Sequence, residues 1–184
     1  MRTCVFIYLA LLLFCSPISA QESYPGGIVY GPKAAFNIAA PEGWVLDNTS
    51  GAEQGLPCVL YSKGSSWADA KTIMYAKIAS TQFEDVNAFV AMVIREMRKT
   101  HGKPKEKIVS GKTRDDHDYF INEYPATKSY PQWERVAYVQ LPRAVAYIVL
   151  SSRDEASYRK DSGALQEVQK TFVYLEPKSV QEQH

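Results

Sequence analysis

From residue 28 onward, apolar side chains recur at two spacings. Short runs repeat every second residue and longer ones every third to fourth, the periods of half-buried strands and of amphipathic helices. Ile28 to Tyr30 and Ala35 to Ala39 read as short strands around Gly31-Pro32, and Pro41-Glu42-Gly43 turns the chain into Trp44-Val45-Leu46, which predicts a meander. Polar Asp47 to Gly55 is a loop. Two further strands follow at Pro57 to Tyr61 and Thr72 to Ala79, separated by Gly64-Ser65-Ser66-Trp67; in the second, Ile73, Tyr75 and Lys77 alternate with Met74, Ala76 and Ile78. The period then lengthens: Val86, Phe89, Val90, Val93, Ile94 and Met97 share one helical stripe, with Asp85 as N-cap and Gly102 and Pro104 as the stop.

The second half returns to strands, at Lys107 to Gly111, His117 to Tyr124, Trp133 to Leu141 and Ala144 to Ser151. Pro142-Arg143 joins the last two tightly enough to force antiparallel pairing. Val145 to Leu150 is apolar or aromatic at every position, which marks a central strand covered on both faces. A broken helical region follows, with Tyr158 on its first turn and Leu165, Val168 and Phe172 on one face. These elements predict an α+β fold, an antiparallel sheet flanked by helices in an α/β/α sandwich.

The first residues carry an apolar run of another kind. Arg2, the stretch Val5 to Cys15 and Ser16-Pro17-Ile18-Ser19-Ala20 match the three regions of an export signal, so residues 1–20 read as a signal peptide cut after Ala20. The run falls well short of the roughly 20 apolar residues that a membrane helix needs. Phe14 is too bulky for the small residue expected before a lipid-modified Cys15. Residues 21–27 then form a flexible lead, 28–175 one domain and 176–184 a polar tail expected to fray. The destination is secreted or periplasmic. Cys4 and Cys15 leave with the signal, and Cys58 is left without an intramolecular partner, as a buried, inert thiol.

Composition narrows the class further. The chain has 184 residues, 46% hydrophobic and 22% charged, and removing 20 leaves 164, enough to bury roughly 70% of the unfolded surface without staples. Of 21 Lys and Arg only Arg2 precedes residue 21, which leaves 20 against 20 Asp and Glu. Such a balance argues against nucleic acid as a partner.

Three groups of residues carry candidate chemistry. Asp115-Asp116-His117-Asp118 could offer ligands to a divalent ion, but successive strand residues point to opposite faces and paired aspartates are ordinary turn residues, so neither a metal nor a cofactor is expected. The segment from Arg95 to Arg114 holds eight Lys or Arg, with Arg95, Arg98, Lys99, Lys103 and Lys105 foremost, against Glu96 and Glu106, an excess of 8 less 2, or +6. It is suited to an acidic partner or to weak contact with a membrane surface, although a solvated helix end would look the same. The loop Pro125 to Gln132, flanked by Tyr124 and Trp133 and containing Tyr130, offers aromatic rings of the kind that dominate protein interfaces, unless those rings fold back over the sheet edge. Gly-x-Ser-x-Gly, His-Glu-x-x-His and Gly-rich phosphate-loop motifs do not occur.

Phe36-Asn37-Ile38, Pro41-Glu42-Gly43-Trp44, the hairpin through Tyr147, then Tyr158 and the closing Leu165, Val168 and Thr171-Phe172 together resemble the Mog1/PsbP-like family, to which the periplasmic DcrB-type proteins are also similar. The resemblance spans about residues 28 to 175. It implies an antiparallel sheet flanked by helices and members that bind other proteins or assist their assembly, with no catalytic motif to carry over. The function expected is therefore that of an exported, non-catalytic binding or assembly-factor domain whose partner is another protein. The alternatives are a hydrolytic or metal-dependent enzyme centred on His117 and a carrier of a small apolar ligand held between sheet and helix. Export carries the first test: mass spectrometry of secreted material is expected to find a chain beginning at Gln21, and a retained Met1 or an acylated Cys15 would contradict it.

Overall fold

A computed structural model describes residues 26–80 and 82–176. The signal peptide, the Cys15 question, most of the lead and residues 177–184 of the tail with His184 lie outside the described residues. Seven strands make one antiparallel sheet: β3 (Trp44–Asp47), β4 (Val59–Ser62), β5 (Thr72–Ile78), β6 (Lys105–Lys112), β7 (Asp118–Tyr124), β8 (Trp133–Leu141) and β9 (Ala144–Ser152). Their order is β3-β4-β5-β9-β8-β7-β6, so β9 stands at the centre. Every β9 residue but Tyr147 is buried, as its unbroken apolar run predicts.

Two layers cover this sheet. On one face lies α1 (Val86–Met97), whose Phe89 and Val90 pack with Tyr138, Val145 and Val149. Asp85 caps the helix by accepting from the Ala88 N–H at 2.8 Å. Gln140 of β8 fixes the helix start, accepting from the Val86 N–H and donating to Glu84 O, each at 2.8 Å. On the other face sit α2 (Glu155–Asp161), α3 (Ala164–Gln169) and a small sheet of β1 (Gly26–Tyr30), β2 (Ala35–Ala39) and β10 (Val173–Leu175), ordered β1-β2-β10. Their Phe36, Ile38, Leu165, Val168 and Phe172 interlock with Met74, Ile121, Ile148 and Leu150 of the large sheet.

The meander predicted for the first three strands does not form. β1 and β2 pair with each other, but β3 pairs with β4. Gly43, at φ +78°, reverses the chain after Pro41, and the Lys63 N–H bonds Gly43 O at 2.8 Å, which commits β3 to the large sheet. β1 also begins at Gly26, two residues before the expected domain start and inside the expected lead. The expected helical run through Phe172 ends earlier. Past α3 the chain straightens into β10, which pairs with β2. The Thr171 hydroxyl locks that junction by donating to Val168 O at 2.7 Å and accepting from the Ala39 N–H at 2.9 Å.

Cys58 is fully buried, and burial, followed by the nearby Asp47 charge, pushes its thiol up to about 12. Phe172 is likewise fully buried and stacks on Phe36 with centroids 4.6 Å apart. Phe172→Ala is expected to lower stability by about 3–5 kcal/mol, as deletion of a buried ring does. Urea unfolding checks this, and a loss under ~1 kcal/mol would mean that the small sheet docks without that stack.

Candidate functional site

The aromatic loop is folded against the end of α1. Thr127 and Ser129 both donate from their hydroxyls to Thr100 O, at 2.7 and 3.0 Å, and the Thr127 N–H closes the loop onto Tyr130 O at 2.8 Å. Tyr130 then lies over His101 with ring centroids 4.1 Å apart, and its hydroxyl donates to Glu134 at 3.2 Å. The ring is half-buried, and burial with the Glu134 charge pushes the phenol up to about 12. Tyr124, expected among the exposed contact residues, is instead 0% exposed, with its hydroxyl paired to that of Tyr138 at 2.8 Å. Its place in β7 turns it under α1, so it has no free face. Trp133 is half-buried and stacks on Tyr158 of α2, which puts it across the sheet from Tyr130. The rings that the sequence grouped are thus divided between two faces by strand alternation.

The basic segment is divided as well. Arg95 and Lys99 both pair with Glu96, and Lys105 reaches Glu123 at 2.7 Å. Lys112 pairs with Asp118 at 2.9 Å. Arg98 and Lys103 are exposed and make no ion pair among the described residues. Nothing in the residue pattern marked out Glu123. It is buried on the α2 face and receives Tyr158, Lys105 and Arg135, the last at 3.1 Å. Burial opposes its charge, yet those hydrogen bonds hold the carboxyl below the usual glutamate range. This network braces β7, β8 and α2.

The aspartates around His117 behave as turn residues. Asp115 accepts from the Thr113 hydroxyl at 2.7 Å and from the Tyr174 N–H at 2.5 Å, which ties the β6–β7 turn to β10. Asp116 takes φ +70°, while Lys112 draws Asp116 and Asp118 to its own side. His117 lies 3.6 Å from Asp115 and edge-on to Tyr174. Among the described residues no group of three or more His, Cys, Asp or Glu is placed to hold a metal ion.

A cleft of about 240 Å³ opens between α1 and the sheet, lined by Phe89, Met92, Met97, Tyr75, Val149 and Glu134 among others. Glu134 is 6% exposed, and its neighbour His101, also 6% exposed, points an unpartnered Nε2 toward it at 3.7 Å. Burial holds the imidazole below its usual value and pushes the carboxyl above its own, so both favour the neutral form.

No family model matches the chain, and no curated protein matches it. The architecture has counterparts among solved structures. It is similar to LpqN of Mycobacterium tuberculosis, a protein involved in cell envelope biogenesis, at 13% identity and TM-score 0.53 over 82% of this chain and 90% of that one. It is also similar to the PsbP of the cyanobacterium Synechocystis sp. PCC 6803, at 12% identity and TM-score 0.47 over 76% of this chain and 86% of that one. A third likeness is to PA94 of Pseudomonas aeruginosa, at 13% identity and TM-score 0.42 over 83% of this chain and 97% of that one. The LpqN likeness shows that the chain has the α+β, Mog1/PsbP-like fold. Among the described residues no helix is long and apolar enough to cross a membrane.

The buried Glu134 generates a pH dependence. Its folded carboxyl keeps the proton above the ordinary value of 4.5, so the fold binds more protons than the unfolded chain in that interval and loses stability as pH rises through it. Glu134→Gln, neutral at every pH, is expected to melt above the native protein at neutral pH, with the gap narrowing toward about pH 4.5. Melting curves across pH check this; a gap independent of pH would show the carboxylate ionising without penalty.

Proposed function

We propose that the chain is an exported, non-catalytic domain that binds other proteins or assists their assembly, outside the cell or in a periplasm. One observation carries the reading. The hydrogen bonds from Thr127 and Ser129 to Thr100 O pin the aromatic loop to the end of α1, beside the exposed cations Arg98, Lys99 and Lys103. A half-exposed tyrosine held rigidly next to several cations has the makings of a contact surface for an acidic protein, because the ring is ordered before binding and the charges steer the approach. Trp133 and Lys105, on the α2 side, would belong to a second and smaller contact. LpqN, whose fold the chain shares, is involved in cell envelope biogenesis, which supports a role among exported proteins.

A second reading has one observation in its favour: the cleft under α1 could hold a small apolar ligand. Its volume of about 240 Å³ lies below the ~300–1,000 Å³ usual for ligand pockets, which ranks carriage behind protein contact. Site-specific photocrosslinking in cells separates the two. A crosslinker at Tyr130 or Lys103 is expected to trap one defined protein, while the same group at Glu53 or Lys160, exposed elsewhere, traps none. Equal labelling at all four positions, or none at Tyr130 and Lys103, would remove the protein-contact reading.

A further inference from the structure

We propose that the groove between α1 and the β6–β7 edge of the large sheet binds a phosphate-type oxyanion. It begins with an irregularity in a strand. β6 pairs with β7 at Lys105 and again from Val109 onward, but the register shifts between them, and inside that bulge Lys107 takes φ +50°. A residue with a Cβ rarely adopts this conformation, and bulges of this kind re-aim side chains. The Lys107 N–H leaves the ladder and donates to the side-chain oxygen of Asn122 on β7 at 2.8 Å. Its ammonium stands 5.2 Å from the centre of the Phe120 ring.

Asn122 is the second observation. It is 1% exposed, and with its Oδ1 engaged by Lys107 its Nδ2 has no hydrogen-bond partner. Burial pushes the Tyr124 phenol up, and its hydroxyl is already paired with Tyr138 and stands outside hydrogen-bond geometry for the amide. A buried N–H donor left without an acceptor is uncommon and unfavourable, and an incoming oxygen would satisfy it.

The opposite wall supplies charge. Arg95 in the last turn of α1, which also pairs with Glu96, and Arg98 at the helix C-cap line the same groove of about 500 Å³ as Lys107, Phe120 and Asn122. Glu106 lines it too, so the groove carries three cations less one carboxylate, a net +2. Two guanidinium forks, one ammonium and one amide N–H form a set rich in donors and suited to a compact oxyanion. Ile94 and Val90 lie beside Phe120 and offer an apolar wall to whatever the phosphate is attached to. The phosphate can therefore come from free phosphate or from a phospholipid headgroup.

This site needs no protein partner, and of the cations beside Tyr130 it shares only Arg98. Lys99 and Lys103, which belong to that surface, do not line the groove. The test is calorimetry at low ionic strength on the purified protein, with inorganic phosphate in one arm and monomeric dihexanoyl phosphatidylglycerol in the other. Saturable binding is expected in at least one arm. Binding in the phosphate arm identifies the free anion as sufficient, and binding in the lipid arm alone identifies the headgroup. Arg98→Gln and Lys107→Gln, both at exposed positions, are expected to weaken it about tenfold or more, whereas Lys103→Gln, which removes the same charge outside the groove, leaves it unchanged. Asn122→Asp keeps an oxygen for the Lys107 N–H but replaces the donor with a charge, and is expected to abolish binding; should that variant not fold, the two surface variants decide. No saturable heat in either arm, or an equal loss from Lys103→Gln and Arg98→Gln, overturns the proposal.

Discussion

Strand β9 is buried at every position but Tyr147, and the rest of the molecule follows from that constraint. A strand buried on both sides must be hydrogen-bonded along both edges and covered above and below. β5 and β8 supply the edges, pairing antiparallel with it along its length. The covers differ because the two sets of side chains differ. Val145, Val149 and Tyr147 meet a single amphipathic helix, whereas Ala146, Ile148 and Leu150 meet a mixed layer of short helices and a small sheet. One helix covers only part of its face, and both the cleft and the groove described above lie along the margins of α1.

The central strand was legible because its signal is uniform. Val145 to Leu150 contains no charge, so both its burial and its central position could be read directly. The α1 stripe was legible for a similar reason, with Asp85 and a regular period marking its start. β10 was not, because three residues after a helical stripe are too few to show alternation, and only the pairing with β2 defines it. The separation of β1 and β2 from β3 escaped notice because Pro41-Glu42-Gly43 specifies a turn without specifying which strand comes next to it.

The candidate sites were legible as residue types but not as neighbours. Tyr124 and Tyr130 sit at the two ends of one loop, yet one is sealed beneath α1 and the other lies over its end. Tyr130 and Trp133 are three residues apart and occupy opposite faces. The basic segment looked like one patch of +6, but Glu96, Glu123, Asp116 and Asp118 engage Arg95, Lys99, Lys105 and Lys112. Of these acids only Glu96 lies within the segment. The others come from β7 and the turn before it, and the sequence offered no pairing register to connect them.

Those pairings hold some cations to a carboxylate, Arg95 included, and leave others such as Arg98 and Lys107 without an ion pair among the described residues. Surface ion pairs contribute little to stability, about 0–1 kcal/mol, but they fix where long side chains point. Lys105 and Lys112 are drawn along the sheet edge toward carboxylates. Lys107, between them, is released by the bulge and turned toward α1, where Arg95 and Arg98 project from the helix. The ladder loses an ordinary backbone bond at that point, and Asn122 takes the freed N–H. A strand that merely closed the sheet would have no need of this arrangement: a regular ladder would satisfy the Lys107 N–H without a left-handed residue or a buried amide. The irregularity thus brings Lys107 to the margin of α1 that Arg95 and Arg98 line, while the remainder of β6 and β7 is paired in the ordinary way.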